Sequence, residues 1–308
     1  MSDSTPRTLV IGEALIDVVE DGSGAPREHV GGSPANVAFG LGALEHPVTL
    51  ATWIGQDPRG RLIADRCEKL GVDLASGSDA AAHTSVARAV LDAAGHARYD
   101  FDLTWQVPPV DDLASFGHLH TGSIGATLQP GGAQVLHLVQ QARESSTVSY
   151  DPNIRPSLMG TPDEVRPQVE ELIALSDVVK ASDEDIAWLY PDQFVPDVLR
   201  LWGTWGTPLT VITRGDEGAL FALSHVGGVA TCPARASTVA DTVGAGDSFM
   251  AGLISGLLDA GLLGGADARE RLRAAKLAEV RPAIERAVAA SGATVEHAGA
   301  YHPARDEL

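Results

Sequence analysis

A chain of 308 residues with 44% hydrophobic and 20% charged residues carries enough apolar material for one large α/β domain or two smaller ones, and is not a disordered polypeptide. A formal net charge of -19 argues against nucleic acid and anionic membrane as partners, but not against ATP, because backbone N–H groups and Mg²⁺ reverse the field locally. The two cysteines, Cys67 and Cys232, stand far apart without metal-like spacing and are expected as buried thiols.

Met1 to Arg7 lacks the basic segment and apolar core of a signal peptide, and no later apolar run is long enough to span a bilayer, so a cytoplasmic location is expected. In chain order, residues 9–11 read as a strand. Residues 15–20 and 28–31 read as a hairpin joined through Asp21-Gly22-Ser23-Gly24. A helix is expected over 35–45, with Val37, Leu41 and Leu44 marking its buried face, followed by a strand at 49–54 and a helix at 58–70. Residues 97–105 alternate strictly: Tyr99, Phe101, Leu103 and Trp105 fall on one face, Arg98, Asp100, Asp102 and Thr104 on the other. With 85–92 and a turn containing Gly95 they predict a second hairpin.

Strands at 119–121, 147–150, 178–180 and 209–213 then alternate with helices at 131–144, 163–175 and 183–190. The pair His118 and His120 falls in one of these strands and is expected as core, not as a metal site. Residues 261–273 read as a loop and a charged helix start. Such alternation predicts an α/β fold: a mainly parallel sheet flanked by helices, with ligands beyond the carboxyl ends of the strands. The two hairpins stand apart from it as a small half-apolar sheet that must cover a pocket or a partner.

The chemistry concentrates at Asp241-Thr242-Val243-Gly244-Ala245-Gly246-Asp247-Ser248-Phe249. Gly244 and Gly246 permit a tight turn with uncovered N–H groups, and Phe249, Met250, Leu253, Ile254, Leu257 and Leu258 recur at helical spacing behind them. A helix N-terminus suits phosphate or a developing oxyanion. A carboxylate in the same turn repels an anion but can take a proton from a hydroxyl, a pairing that reads as phosphoryl transfer to an alcohol. The alternative is that Asp247 only caps the helix. Neither a GxxxxGK[ST] phosphate loop nor a GxGxxG loop is present.

This nonapeptide resembles the C-terminal signature of the ribokinase (PfkB) family of sugar kinases. Further matches are Gly31-Gly32-Ser33-Pro34-Ala35-Asn36-Val37-Ala38-Phe39, Gly12-Glu13-Ala14-Leu15-Ile16-Asp17, Gly55-Gln56-Asp57-Pro58-Arg59-Gly60, Tyr150-Asp151-Pro152-Asn153-Ile154-Arg155 and Thr213-Arg214-Gly215, in family order from near residue 8 to near residue 303. The resemblance implies one ribokinase-like domain over 1–308, with lid strands from about 14–32 and 84–106. It implies Asp247 as catalytic base and Gly244, Ala245 and Gly246 as the anion hole. Asp17, Gly31, Gly32, Asn36 and Arg155 become sugar contacts, and Lys180, Ser182, Thr213, Gly215 and Gly218 the nucleotide side. Where the broader family often shows Asn-x-x-Glu near Mg²⁺, this chain has Ser182 and Asp185, whose shorter carboxylate is expected to act through water. Asp241 and Val243 match the positions of a monovalent cation site, K⁺, with the tail loop 294–300 approaching it or the adenine. The wording is nearest bacterial fructokinases, implying ATP and fructose with the carbon-six hydroxyl as acceptor. A 2-keto-3-deoxygluconate kinase, a ribokinase and a non-catalytic sugar sensor are the alternatives. The lid is also a candidate homodimer contact.

Overall fold

The structure, a computed structural model, describes residues 5–20, 26–91, 97–235 and 238–308. The predicted turns at 21–24 and around Gly95 lie outside the described residues. The first half of the chain runs β1 (Thr8–Ile11), β2 (Leu15–Glu20), β3 (Arg27–Gly31), α1 (Ser33–Ala43), β4 (Val48–Ala51), α2 (Pro58–Lys69) and β5 (Val72–Leu74). It continues through β6 (Val86–Leu91), β7 (Ala97–Asp102), β8 (His118–Gly122), α3 (Gly131–Ala142) and β9 (Thr147–Asp151). Then come α4 (Pro156–Met159), α5 (Pro162–Leu175), β10 (Val178–Ser182), α6 (Asp183–Leu189), α7 (Val195–Thr204) and β11 (Leu209–Thr213). The last elements are β12 (Ala219–Leu223), β13 (Ala230–Cys232), α8 (Ala245–Asp259), α9 (Ala266–Ala274) and α10 (Leu277–Val295).

Among the described residues nine strands form the main sheet in the order β13-β12-β11-β10-β9-β8-β1-β4-β5, all running the same way except β12, which is antiparallel to both its neighbours. Burial on both faces explains why these strands read as apolar runs. Along β1 the side chains still divide by parity: Val10 joins the core under α1, α8 and α10, while Leu9 and Ile11 join the core under α3, α5 and α7. The chain leaves β1 outward to β4 and β5, then returns to the other side of β1 as β8. A topological switch therefore lies between β1 and β8, and the carboxyl ends beside it are where a ligand is best received.

β5, α4, β12, β13, α7 and α10 have no counterpart among the predicted elements. For α10 the reason is its partner: Gly252 and Gly256 of α8 face Ala287 and Ala283, and a Cβ on Gly256 would lie 2.6 Å from the Ala283 Cα. Contacts built from small residues give little hydrophobic periodicity to read.

The predicted hairpins form β2/β3 and β6/β7, joined by parallel pairing of β2 with β6 into a four-stranded sheet of order β3-β2-β6-β7. Register aligns Asp17 with Ala87 and Ala87 with Phe101, so the predicted apolar row shares a face with Asp17. The opposite face buries Ile16, Val18 and Val86 against the body. The predicted row stops short of Trp105, however. β7 ends at Asp102, and Trp105 is buried in the main core, donating Nε1–H to the Gly125 carbonyl at 2.7 Å. An indole N–H must find an acceptor when buried, and a main-chain carbonyl at the end of β8 supplies it.

His118 and His120 are core residues, as expected. Their ring nitrogens pair with the Thr147 and Ser149 hydroxyls at 2.9 Å, and burial pushes both down to about 3. Cys67 and Cys232 are buried free thiols. Among the described residues no helix is long and apolar enough to cross a membrane.

Candidate active site

The glycine turn enters α8 with Gly244 in a left-handed conformation (φ 78°), which favours glycine. Asp247 follows in the first helical turn, buried, and its carboxylate does not cap its own helix. Oδ1 accepts from the Ser33 hydroxyl at 2.7 Å and Oδ2 from the Asn36 amide at 2.8 Å. Both donors come from the first turn of α1, so two helix N-termini converge on one carboxylate. Gly40 makes this approach possible, since a Cβ there would lie 2.6 Å from that of Ala251. Burial raises the Asp247 carboxyl above its usual range, opposed by the bonds from Ser33 and Asn36 and the charges of Lys180 and Arg155. The Asn36 Oδ1 is buried with no hydrogen-bond partner, an acceptor open to a hydroxyl.

Asp17 comes from the lid. Its carboxylate lies against Gly31, where a Cβ would stand 2.1 Å from Oδ2. Gly32, at φ 101°, packs on the Glu13 carbonyl and could not carry a Cβ, which would come within 2.4 Å of that oxygen. Burial pushes the Asp17 carboxyl up to about 6, with His29 and Arg155 opposing.

Beside the first turn of α8 opens a cleft of about 990 Å³. Arg155, Lys180, Ser182, Asp185, Thr213, Gly215, Gly218, Ala245 and Gly246 all stand on its wall, drawn from the carboxyl ends of β9, β10 and β11 and the start of α8. Val239, Val288 and Val295 give it an apolar end. Asp17, Gly31, Gly32 and Asn36 are not on this wall. Asp17 and Gly31 belong to the lid strands, Gly32 precedes α1, and Asn36 bonds to Asp247, the neighbour in sequence of Gly246 on the wall. Arg155 therefore stands on the cleft side, while its charge is felt by Asp17, Glu13 and Asp247 alike.

Lys180 is buried in the middle of β10, its Nζ 2.7 Å from Asp151 Oδ2 and 3.4 Å from the Gly246 carbonyl. Burial alone would lower the ammonium; Asp151, with Asp185 and Asp247 beyond it, holds it above its ordinary value. Burial pushes Asp151 up to about 6 despite Lys180. Asp185 closes a capping box: Oδ1 accepts from the Ile154 N–H at 2.7 Å and Oδ2 from the Ser182 N–H at 2.8 Å. Both oxygens are thus engaged by backbone donors, which suits contact with Mg²⁺ through water better than direct ligation. Among the described residues no group of three or more His, Cys, Asp and Glu could cage a metal. Asp241 accepts from the Val243 and Gly299 N–H groups at 3.1 and 2.8 Å, tying the loop before α8 to the tail loop, with Val243 half-exposed beside it.

Glu13 is the site residue the sequence reading passed over. It is buried just past β1, its Oε2 accepting from the Gly125 N–H at 2.8 Å, and burial pushes it up to about 7. A carboxylate two residues beyond an apolar central strand was the available signal.

A doubly wound sheet, a buried carboxylate at a helix N-terminus and a cleft beside that terminus define an enzyme that moves a phosphoryl group to a hydroxyl. The family model of the pfkB family carbohydrate kinases matches residues 6–307, and the chain belongs to that family. A fructokinase of Klebsiella pneumoniae is 33% identical over 262 residues, 82% of this chain and 85% of that protein. A fructokinase of Rhizobium leguminosarum bv. trifolii is 31% identical over 81% of this chain and 79% of its own. A solved fructokinase of Vibrio cholerae O395 with fructose, ADP and potassium ion superposes with a TM-score of 0.80 at 26% identity, covering 99% of this chain and 98% of that one. A fructokinase of Xylella fastidiosa with bound ATP, 22% identical, shares the fold with a TM-score of 0.83 over 99% of this chain and 97% of its own.

Proposed function

We propose that the protein is a fructokinase, transferring the γ-phosphoryl group of ATP to the carbon-six hydroxyl of fructose. The observation that carries this is Asp247, a buried carboxylate with a raised pKa, bonded to Ser33 and Asn36 of α1 and next in sequence to Gly246 on the cleft wall. Asp247 takes the proton as the O–H bond breaks, the new O–P bond forms, and ADP leaves with the electrons of the broken P–O bond. The Ala245 and Gly246 N–H groups at the α8 terminus stabilise the charge that builds on the phosphoryl oxygens, with Gly244 shaping the turn. Lys180 and Arg155 add positive charge on the cleft side. Asp17, the Asn36 Oδ1 and the Gly31-Gly32 backbone hold the sugar hydroxyls. Thr213, Gly215 and Gly218 flank the nucleotide, with the valines against its base.

Mg²⁺, when bound, would neutralise charge on the phosphates, and Asp185 and Ser182 would hold its waters. The Asp241–Val243 loop is the K⁺ site of this reading. Two free thiols suit a cytoplasmic setting. Half-buried Val19 and Phe101 on the Asp17 face of the lid give a second copy an apolar surface to pair with.

ADP release with Mg-ATP against fructose, 2-keto-3-deoxygluconate, ribose, adenosine and no acceptor tests the reading. Turnover on fructose supports it; turnover on another acceptor alone discards fructose, and acceptor-independent or absent turnover rejects the enzyme as drawn. Asp17 and Asp247 both act ionised, and both are raised by burial. The value of kcat/KM for the sugar is therefore expected to fall as pH drops through about 6, the Asp17 value. A flat profile from pH 8 to 5 overturns the Asp17 assignment.

A further inference from the structure

The segment Gly55-Gln56-Asp57-Pro58-Arg59-Gly60 stands on neither the cleft wall nor Asp247, yet it is among the most closely packed turns in the molecule. A Cβ on Gly60 would lie 1.8 Å from the Gly55 carbonyl oxygen, and one on Gly55 2.8 Å from the His83 Cα. Asp57 is the N-cap of α2, accepting from the Gly60 N–H at 2.8 Å. A cap needs nothing more. The same carboxylate also accepts from the Thr84 N–H at 2.8 Å and the Thr84 hydroxyl at 2.9 Å, while the Gly55 N–H donates to that hydroxyl at 3.0 Å.

Thr84 is where the chain leaves the body for β6. The next residue, Ser85, exchanges hydrogen bonds with the Thr104 N–H and carbonyl at 3.0 and 3.1 Å, and its carbonyl accepts from the Ile16 N–H at 3.0 Å. Ile16 precedes Asp17, and Thr104 lies where the chain returns from β7. Three of the four crossings between body and lid therefore meet at Thr84 and Ser85, and Asp57 binds that junction to the body. Arg59, from the same turn, reaches Glu28 on β3 at 2.6 Å, but about a third of each side chain is exposed and the pair adds little.

We propose that Asp57 is a positioning residue for the sugar, acting through Thr84 and Ser85 to set where the lid carries Asp17. This rests on Asp17 being a sugar contact, so wild-type turnover on the chosen acceptor is measured first, and whichever acceptor works is used throughout. Asp57→Ser keeps a good cap for α2 but is too short to reach Thr84. Asp57→Asn keeps one acceptor and turns its amide toward the Thr84 N–H. Both are expected to raise KM for the sugar about tenfold, with kcat and KM for ATP within about twofold. Thr84→Ser, which keeps the donors, should behave as wild type. Backbone amide exchange, which needs no substrate, should quicken in β2 and β6 and stay unchanged in α2. Unchanged sugar KM with unchanged β2 and β6 exchange overturns the proposal. So does a joint rise of both KM values with faster exchange in α2, the result of a lost cap alone.

Discussion

Asp247→Asn is expected to lower kcat by about 10²–10⁴-fold, the usual worth of a general base, while leaving sugar and nucleotide binding nearly intact. The substitution is isosteric, and the site tolerates it for a structural reason. The new amide oxygen can still accept from Asn36, and the Ser33 hydroxyl can rotate to accept from the new amide nitrogen. What is lost is the ability to take a proton from the acceptor hydroxyl. Burial raises the Asp247 carboxyl and the donors and charges around it oppose that rise, so the group is more basic than a solvent-exposed aspartate. Steady-state ADP release and calorimetric titration with sugar separate the two consequences. Turnover within tenfold of wild type removes Asp247 from the role of base.

Lys180→Met is expected to cost about 3–5 kcal/mol of stability, because it leaves Asp151 buried and unpaired. Asp151 is fully buried, its second oxygen already lacks a partner, and burial holds it at about 6 even with the ammonium 2.7 Å away. Without the ammonium its pKa rises further and it takes up a proton. A carboxylate with a raised folded pKa favours the fold below that pKa and disfavours it as pH rises through it. The melting temperature of Lys180→Met should therefore fall from pH 6 to pH 8, more steeply than that of wild type. Adding Asp151→Asn should restore most of the stability, since no buried charge is left. It should not restore turnover, because the Nζ beside Gly246 is what faces the cleft. Lys180→Met melting within 2 °C of wild type (about 0.5–1 kcal/mol), or a double variant that turns over normally, would refute this account.

Much of the architecture was legible before any coordinate. Six parallel strands buried on both faces leave short runs rich in apolar residues, and helices between them leave 3.6-residue periodicity, so the α/β sheet followed from pattern. The second lid hairpin showed through the strict alternation of 97–105, because side chains of a strand fall alternately on the two faces of its sheet, and the first through the turn residues at 21–24. The glycine turn before α8 was readable because only glycine accepts the left-handed step at Gly244.

Other features left no such mark. The packing of α10 on α8 uses Ala and Gly, whose contacts are close but weakly hydrophobic. Trp105 continued the alternation of β7 in sequence, yet the chain bent after Asp102 and buried the indole in another layer. Asp185 and Glu13 are ordinary acidic residues until backbone N–H groups from Ile154 and Gly125 are folded against them.

The sequence by itself determined most of the central strands and helices, the family and the turn that presents Asp247, because these rest on backbone preferences and apolar spacing over a few residues. Only the tertiary structure decided that Ser33 and Asn36 hold Asp247, that Arg155 stands on the cleft side, and that Asp57 binds the lid junction at Thr84. Those bonds join side chains as many as 214 residues apart. Their geometry is fixed by strand order and by how closely helices can approach, and no local pattern in the chain encodes either.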